Sequence, residues 1–244
     1  MKNKHSKPPV YYPIFLNVKD KRCVVIGGGR VALRKVKALL DCEAKVTLIS
    51  PRPHPEIVKL SKRRAIHLIR RDYEKEDLKG TVIAFACTDV KKVNHKVAED
   101  SKKAKGLINV VDDPTSSDFI TPSFFRRGDL TVAVSTGGAS PALARKIRMK
   151  LEKSLGEEYS RLLSLTSEVR SALKKRGRAV DGEAWQEVLN LDLLIELIQE
   201  GRPEKAKNLL LSKLKAFCSN IPTGSFQEKC GKKRKRQSRL PPCQ

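Results

Sequence analysis

A glycine turn between an apolar run and a helical pattern constrains the fold of this chain more than any other feature. The run Cys23–Ile26 is followed by three consecutive glycines, after which apolar residues recur at helical spacing. Gly27, Gly29 and Ala32 match the G-x-G-x-x-G/A spacing of dinucleotide-binding turns. The sequence therefore predicts a dinucleotide whose phosphates lie at the start of a helix over Arg30–Leu40. A glycine turn with a purely structural role is the alternative.

Apolar runs typical of buried strands alternate with helical patterns along the first part of the chain. Helical patterns cover Arg30–Leu40 and Val93–Ser101. Strands that alternate with helices form parallel sheets with right-handed crossovers, so we expect an α/β fold with a Rossmann-like parallel sheet. The ligand crevice of such a sheet lies at the carboxyl ends of its strands. The candidate strands are Cys23–Ile26, Lys45–Ile49, Ala65–Leu68, Thr81–Ala86, Leu107–Val111 and Leu130–Ser135.

The chain after the sixth candidate strand is predicted to be helical. Ser140 suits a helix N-cap, and Pro141 suits the first helical position. An apolar stripe predicts one helix over Ala184–Gln199, and a second stripe runs from Ala206 to Phe217. We interpret residues 154–220 as a small helical domain. Residues 221–244 are rich in Pro, Gly, Lys and Arg and are predicted to be a disordered tail.

The charge of the chain favours anionic ligands. The formal net charge is +24, and residues 1–150 alone carry 32 Lys and Arg against 15 Asp and Glu. Such a field attracts a nucleotide, a polycarboxylate or nucleic acid, although a basic solvated surface is the simpler interpretation. No apolar run approaches the roughly 20 residues of a membrane span. The basic start Met1–Lys7 is followed by no apolar stretch, so we expect no secretory signal. The six cysteines are scattered without C-x-x-C spacing, so we expect a reduced, cytoplasmic protein.

The end of the second strand decides how a dinucleotide ribose is bound. An acidic residue at this position would bind the 2′-hydroxyl group, but the chain has Ser50-Pro51-Arg52. Ser50 or backbone groups can bind a ribose, whereas Arg52 can bind the 2′-phosphate of NADP. Arg52 can equally be a solvated surface charge. These residues alone leave the choice between NAD and NADP open.

Two carboxylates follow the fifth strand, where this fold places its ligands. They lie in Asn109-Val110-Val111-Asp112-Asp113-Pro114. A carboxylate near a bound ligand can act as a general base, but Asp113-Pro114 can also be only a turn signal. Adjacent residues of an extended segment point in opposite directions, so we expect at most one of the two to face the crevice.

A third cluster combines hydroxyl groups, glycines and the start of a helix. Its residues are Ser135, Thr136, Gly137, Gly138, Ala139, Ser140 and Pro141. Such a segment suits an anion, and a structural strand-to-helix turn has the same appearance. The four histidines show no metal-ligand spacing, so no metal site is predicted. The run Lys232–Arg236 lacks interleaved aromatic residues, and we expect it to bind no specific nucleic acid.

Several motifs in order along the chain resemble the precorrin-2 dehydrogenase/sirohydrochlorin ferrochelatase family, the dehydrogenase module of siroheme synthase. The resemblance runs from about Tyr12 to Leu155, and its most specific part lies between Asn109 and Pro141. The stretches that carry it are Tyr12–Leu16, Gly27–Ala32 with Arg34-Lys35, Ala86–Asp89 with Val93-Asn94, Asn109–Asp112, Phe119–Ser123 and Val132–Pro141.

The resemblance implies NAD-dependent oxidation of precorrin-2 to sirohydrochlorin. Some members of the family also insert ferrous iron, so ferrous ion is a further substrate that it leaves open. Asp112 matches the aspartate that is linked to activity in the family. Thr136 falls where several members have serine, which puts any role specific to serine in doubt. Arg30, Val31, Pro51 and Arg52 match cofactor-contacting positions of the family. With the residue patterns above, the candidate cofactor residues are Gly27, Gly28, Gly29, Arg30, Val31, Ser50, Pro51, Arg52 and Thr88, and the candidate substrate residues are Asn109, Ser135, Thr136, Gly137 and Gly138.

The family also implies an order of domains and a homodimer. Residues 1–121 would form the NAD-binding domain, residues 122–153 the dimerisation segment, and residues 154–220 the helical domain. Precorrin-2 carries eight carboxylate side chains, which agrees with the basic first part of the chain. A nonenzymatic NAD-sensing module is the alternative function. It explains the glycine turn but not the block from Asn109 to Pro141.

Overall fold

The structure is a computed structural model that describes residues 10–177 and 180–219. The described residues form two compact units. The first contains residues 10–123 and 134–145, and the second contains residues 124–133 and 146–219. The predicted tail over residues 221–244 lies outside the described residues.

The first unit is built on a parallel sheet of five strands in the order β3-β2-β1-β4-β5. Helix α1 connects β1 to β2, helix α2 lies between β2 and β3, and helix α3 connects β4 to β5. A 3-10 helix, Lys75–Leu78, lies between β3 and β4. The elements are β1 Arg22–Ile26, α1 Arg30–Leu40, β2 Lys45–Ile49, α2 Pro55–Lys62, β3 His67–Ile69, β4 Ile83–Ala86, α3 Lys91–Ala104 and β5 Leu107–Val110. This sheet confirms the predicted Rossmann-like α/β fold.

The central strands are buried on both faces, which explains their continuous apolar sequence. Val24 and Val25 are adjacent and fully buried, yet they belong to two different core clusters. Val25 packs in the cluster that includes Val36 of α1, and Val24 packs in the cluster that includes Val97 of α3. The two-sided burial fixes the strands, and with them the loops that follow their carboxyl ends.

The sixth candidate strand does not join the parallel sheet. It forms β7, Leu130–Val134, and pairs with β6, Ser123–Arg127, in a separate two-stranded sheet. Gly128 and Asp129 connect the two strands, and a two-residue connection is compatible only with hairpin pairing. The sequence pattern predicted the extended conformation of β7 correctly but not its partner, and it did not predict β6.

The second unit also contains helices packed around one apolar cluster. The predicted single helix over Ala184–Gln199 is wrong, because the chain breaks at Leu189-Asn190. The side chain of Asn190 accepts a hydrogen bond from the Leu193 N–H and caps a new helix there. The elements are α4 Pro141–Ser154, which is shared between the units, α5 Glu157–Lys175, α6 Gly182–Val188, α7 Leu191–Gln199 and α8 Pro203–Ser219. None of the described helices is long and apolar enough to cross a membrane.

Candidate functional site

The loops that contain most of the candidate residues leave the sheet at one edge. Ile26 of β1 is in register with Ile49 of β2 and with Ala86 of β4, and Ala86 is in register with Val110 of β5. The chain proceeds from β1 towards β3 on one side and from β4 to β5 on the other, so the topological switch lies between β1 and β4. This is where open parallel sheets bind their ligands.

Gly27 allows the turn after β1 to approach the turn after β4. Its φ is +117°, a conformation that side chains rarely adopt. A Cβ atom on Gly27 would lie 2.5 Å from the carbonyl oxygen of Cys87. Ala32, the small third residue of the motif, is fully buried between helix α1 and the sheet. These two positions therefore set the geometry of the turn.

Gly29 leaves the start of helix α1 open. It is the N-cap residue and provides no side-chain cap, and a Cβ atom on it would meet nothing within 4 Å. Leu33 donates the first intrahelical hydrogen bond, to the Gly29 carbonyl, so the N–H groups of Arg30 and Val31 have no place in the helical ladder. The first turn contains no acidic residue. An exposed helix start with this character suits a phosphate group.

Gly28 fixes the loop that follows β2. Its carbonyl oxygen accepts a 2.8 Å hydrogen bond from the N–H of His54. A Cβ atom on Gly28 would lie 2.4 Å from the carbonyl oxygen of Arg52 and 2.5 Å from Oγ of Ser50. The Ser50 side chain is buried and accepts a hydrogen bond from the Arg52 N–H, whereas Pro51 and Arg52 are exposed. The ribose-side loop is thus packed directly onto the glycine turn. Sequence reasoning missed this role of Gly28 and His54.

Thr88 uses its hydroxyl group within the turn after β4. The hydroxyl oxygen lies 2.7 Å from Oδ1 of Asn94 and accepts a hydrogen bond from the N–H of Val90. Asn94 also donates a 2.8 Å hydrogen bond to the Thr88 carbonyl. The Thr88 hydroxyl therefore stabilises the connection between β4 and α3, next to Gly27.

The two adjacent carboxylates have different environments. Asp112 is exposed and has a φ of +61°, so the chain turns sharply there instead of remaining extended. Asp113 caps the 3-10 helix Pro114–Ser116, and its Oδ1 accepts hydrogen bonds from Thr115 and Ser116. These hydrogen bonds lower the pKa of Asp113 below its ordinary value. The turn-signal interpretation thus describes Asp113, and Asp112 is the carboxylate without that role.

After this turn the chain runs back along β5, the outermost strand of the sheet, as residues 117–121, which we call the return segment. Oγ of Ser117 accepts a 2.9 Å hydrogen bond from the Val110 N–H, and Oδ2 of Asp118 accepts one of the same length from the Ile108 N–H. Asn109 is buried, and its Nδ2 donates a 2.9 Å hydrogen bond to the Phe119 carbonyl. The side chains of Ser117 and Asp118 thus satisfy backbone N–H groups of β5, the outermost strand of the sheet. They also fix the position of the turn that contains Asp112.

The loop before α4 is stabilised by its own hydroxyl groups. Oγ of Ser135 accepts a hydrogen bond from the Gly137 N–H, and Oγ1 of Thr136 bonds to both the N–H and the carbonyl of Ser140. Gly137 and Gly138 are exposed and have φ values of +62° and +89°. Oγ of Ser140 accepts a hydrogen bond from the Leu143 N–H, which confirms the predicted N-cap of α4.

A metal centre does not emerge from the described residues. Within residues 10–177 and 180–219, no three His, Cys, Asp or Glu side chains are grouped so that they could bind a metal ion. The candidate site consists of the loops at the carboxyl ends of the parallel strands and the loop before α4.

Two family models match the chain in succession. Residues 14–123 match an NAD(P)-binding family, and residues 127–154 match the family described as sirohaem biosynthesis protein central. The first match spans the entire parallel sheet, including Gly27–Gly29 and Asp112. The chain is a relative of siroheme synthase and of precorrin-2 dehydrogenase. Its first unit contains a nicotinamide dinucleotide-binding domain.

Individual relatives agree with this assignment. The siroheme synthase of Thioalkalivibrio sulfidiphilus is 39% identical over 204 residues, which cover 82% of this chain and 41% of the relative. The siroheme synthase of Chromobacterium violaceum is 39% identical over 181 residues, which cover 73% and 38%. The chain thus spans about two fifths of these relatives. The solved structure of SirC, precorrin-2 dehydrogenase, is 25% identical with a TM-score of 0.63, and the match covers 84% of this chain and 100% of that chain.

Proposed function

We propose that this chain oxidises precorrin-2 to sirohydrochlorin with NAD as the oxidant. The observation that carries the proposal is that an open helix start and an exposed carboxylate both follow the carboxyl ends of strands in one parallel sheet. The open helix start at Gly29 provides a phosphate site, and the exposed Asp112 provides a carboxylate two strands away. The similarity to SirC over its whole length supports the same reaction. The cofactor supplies a hydride acceptor, and the protein supplies binding, orientation and proton removal.

The cofactor residues divide into three groups along the edge. Gly27, Gly28 and Gly29, with the N–H groups of Arg30 and Val31, would bind the pyrophosphate. Ser50, Pro51 and Arg52 would lie against the adenosine ribose, because their loop is packed on Gly28. Thr88 would act by fixing the turn after β4 beside Gly27, since its hydroxyl, N–H and carbonyl groups are all hydrogen-bonded to Asn94. The shape of the turn and the absence of acidic residues from the first turn of α1 support this division.

Asp112 would act as the general base of the oxidation. Conversion of precorrin-2 to sirohydrochlorin transfers two electrons and one proton to NAD as a hydride and releases a second proton. Asp112 is exposed and does not have the capping role of Asp113, so its carboxylate can accept that proton. Ser135, Thr136, Gly137 and Gly138 would bind substrate carboxylates. Asn109 would contribute by holding the return segment at Phe119.

The finer assignments belong to the same proposal. NAD is favoured over NADP by the family resemblance, although Arg52 is exposed at the ribose-side loop. A homodimer formed through residues 122–153 would cover Phe124, Leu143, Ile147 and Met149, which are exposed apolar residues of β6 and α4. Ferrous ion would be a second substrate, inserted into the product as in some family members. A cytoplasmic location agrees with the buried thiols of Cys23 and Cys87.

Anaerobic spectroscopy tests the proposal. The purified protein is incubated with precorrin-2 and NAD, absorbance spectra are recorded, and ferrous ion is then added. The proposal predicts formation of sirohydrochlorin together with NADH, at a higher kcat/KM with NAD than with NADP. A protein that binds NAD but leaves precorrin-2 unchanged would instead be an NAD-sensing module. Spectral conversion to siroheme after iron addition, faster than without protein, would establish the second reaction.

A further inference from the structure

Lys35 is a half-buried cation on helix α1 whose partners are an aromatic ring and a hydroxyl group. Its Nζ lies 5.0 Å from the centroid of the Phe85 ring and donates a 2.9 Å hydrogen bond to Oγ1 of Thr121. Burial lowers the pKa of Lys35 below its ordinary value. Among the ion pairs of residues 10–177 and 180–219, none includes Lys35. Burying an ammonium group is costly unless other groups replace its hydration, and here Thr121 and the Phe85 ring are the groups that do so.

The partners of Lys35 connect helix α1 to the segment that returns from the Asp112 turn. Phe85 of β4 packs edge-to-face on Phe119, with ring centroids 5.5 Å apart. Phe119 is also held by Asn109, through the hydrogen bond to its carbonyl, and Thr121 follows two residues later. One short segment is therefore fixed by the sheet at Phe119 and by helix α1 at Thr121.

We propose that Lys35 is a positioning residue that sets the distance between the cofactor and the Asp112 turn. This inference rests on the proposed function. Helix α1 begins at the phosphate site, and Phe119–Thr121 ends the segment that braces the Asp112 turn along β5. Lys35 adds a polar link between α1 and this segment, beside the packing of Phe119 on the apolar cluster that includes Val36 of α1. Because misplacement of reacting groups by about 1 Å can cost about 100-fold in rate, such a link affects turnover without touching a ligand.

The test compares two lysines of one helix. Lys35→Met keeps an unbranched side chain one atom shorter than lysine and removes the charge and the hydrogen bond. Lys37→Met removes the same charge from an exposed position of the same helix and is the matched control. For Lys35→Met we expect kcat with precorrin-2 to fall about 10-fold, because the reacting groups are less well placed. The dissociation constant of NAD should remain that of the Lys37→Met protein.

A second readout needs neither substrate nor cofactor. The amides of Ile108 and Val110 donate to side chains of the return segment, so their hydrogen exchange reports its opening. We expect both to exchange about 10-fold faster in Lys35→Met than in wild type and Lys37→Met, as local opening becomes easier. Thr121→Val removes only the exposed acceptor of the Lys35 ammonium and should shift both readouts in the same direction by less. It should add nothing further in the Lys35→Met background.

The outcomes separate this inference from the proposed function. Equal kcat and equal exchange in Lys35→Met and Lys37→Met would overturn the positioning role. Weaker NAD binding without faster exchange would also overturn it, because Lys35 would then act on the cofactor. A wild-type protein without activity on precorrin-2 would refute the proposed function, while the exchange measurement would still decide whether Lys35 fixes the return segment. If Lys35→Met does not fold, kcat and exchange in Thr121→Val decide the question.

Discussion

The candidate site differs between its two ends, which follow β1 and β5 of the same sheet. At the end of β1, Gly29 leaves free space and uncapped N–H groups, so the protein provides a surface that a ligand completes. At the end of β5, side chains of Asn109, Ser117 and Asp118 are already bonded to neighbouring backbone groups. Asp112 remains exposed on this braced turn. In the proposed function, the first is the cofactor-binding end and the second is the reactive end.

The binding end is the easiest to destroy selectively. Gly29→Asp places a negative charge in the open space at the helix start, where a pyrophosphate would lie. We expect NAD affinity to fall by about 100-fold or more, equivalent to about 2.7 kcal/mol, with little loss of thermal stability. Calorimetric titration measures the affinity. Unchanged affinity would remove the glycine turn from the cofactor site.

Gly27→Ala is the contrasting variant at the same turn. Its Cβ would lie 2.5 Å from a backbone oxygen, and the positive φ would be strained. It should therefore lower the melting temperature, whereas Gly29→Asp should not. Equal thermal stability of the two variants would contradict the division between a structural and an open glycine.

The reactive end is tested by its two carboxylates. Asp112→Asn should lower kcat by roughly 100-fold, the usual scale for loss of a general base. NAD affinity should change little, because the pyrophosphate site lies at the other end. Asp113→Asn is the matched control and should affect kcat much less, because Asp113 caps a 3-10 helix. If Asp113→Asn is the more damaging substitution, the catalytic role has been assigned to the wrong residue.

A substitution at Gly28, on which the ribose-side loop is packed, should have an intermediate effect. In Gly28→Ala the new Cβ would lie 2.4 Å from the Arg52 carbonyl, so the ribose-side loop must move. We expect NAD affinity to fall about 10-fold, or about 1.4 kcal/mol, while kcat at saturating NAD is retained. Titration and steady-state kinetics measure the two effects. A loss confined to kcat would place this loop at the reactive end.

The smallest expected effect is the pH dependence of the Asp113 cap. The pKa of Asp113 is lowered in the folded protein, so its carboxylate stabilises the fold above its ordinary pKa, and this contribution disappears as the pH falls through the lowered value. Asp113→Ala should cost at most about 1 kcal/mol near neutral pH and less in acid. Urea unfolding at both pH values tests the sign. An equal cost at the two pH values would show that the ionised cap contributes nothing.

The sequence predicted the strand, glycine turn and helix at the end of β1 correctly, because they are encoded locally. Gly27, Gly29 and Ala32 lie within six consecutive residues. Their spacing alone indicates the tight turn, the open helix start and the close packing of helix on strand. The role of Gly28 could not be predicted, because its close neighbours, Ser50 and Arg52, belong to another loop. A single sequence shows residue types, but not which distant residues will approach them.

The hydrogen bonds that brace the Asp112 turn, the partner of β7 and the break in the predicted helix over Ala184–Gln199 were not predicted. The substrate contact of Asn109 stays a prediction, but the hydrogen bond from its amide to the Phe119 carbonyl, ten residues later, was not predicted. An apolar strand pattern reports burial and not partners, so β7 was expected to belong to the larger sheet. The apolar stripe continues across Leu189 and Asn190, and the capping hydrogen bond of Asn190 is what divides the expected helix.

The most direct test of the account is the stoichiometry of a single anaerobic turnover. A limiting amount of precorrin-2 is mixed with excess protein and NAD, and both NADH and sirohydrochlorin are measured. The account predicts one NADH for each sirohydrochlorin in wild type. Asp112→Asn should give the same ratio much more slowly at any NAD concentration, whereas Gly29→Asp should be slow at the same NAD concentration and faster when more NAD is added. NAD binding in wild type with no NADH formed from precorrin-2 would contradict it.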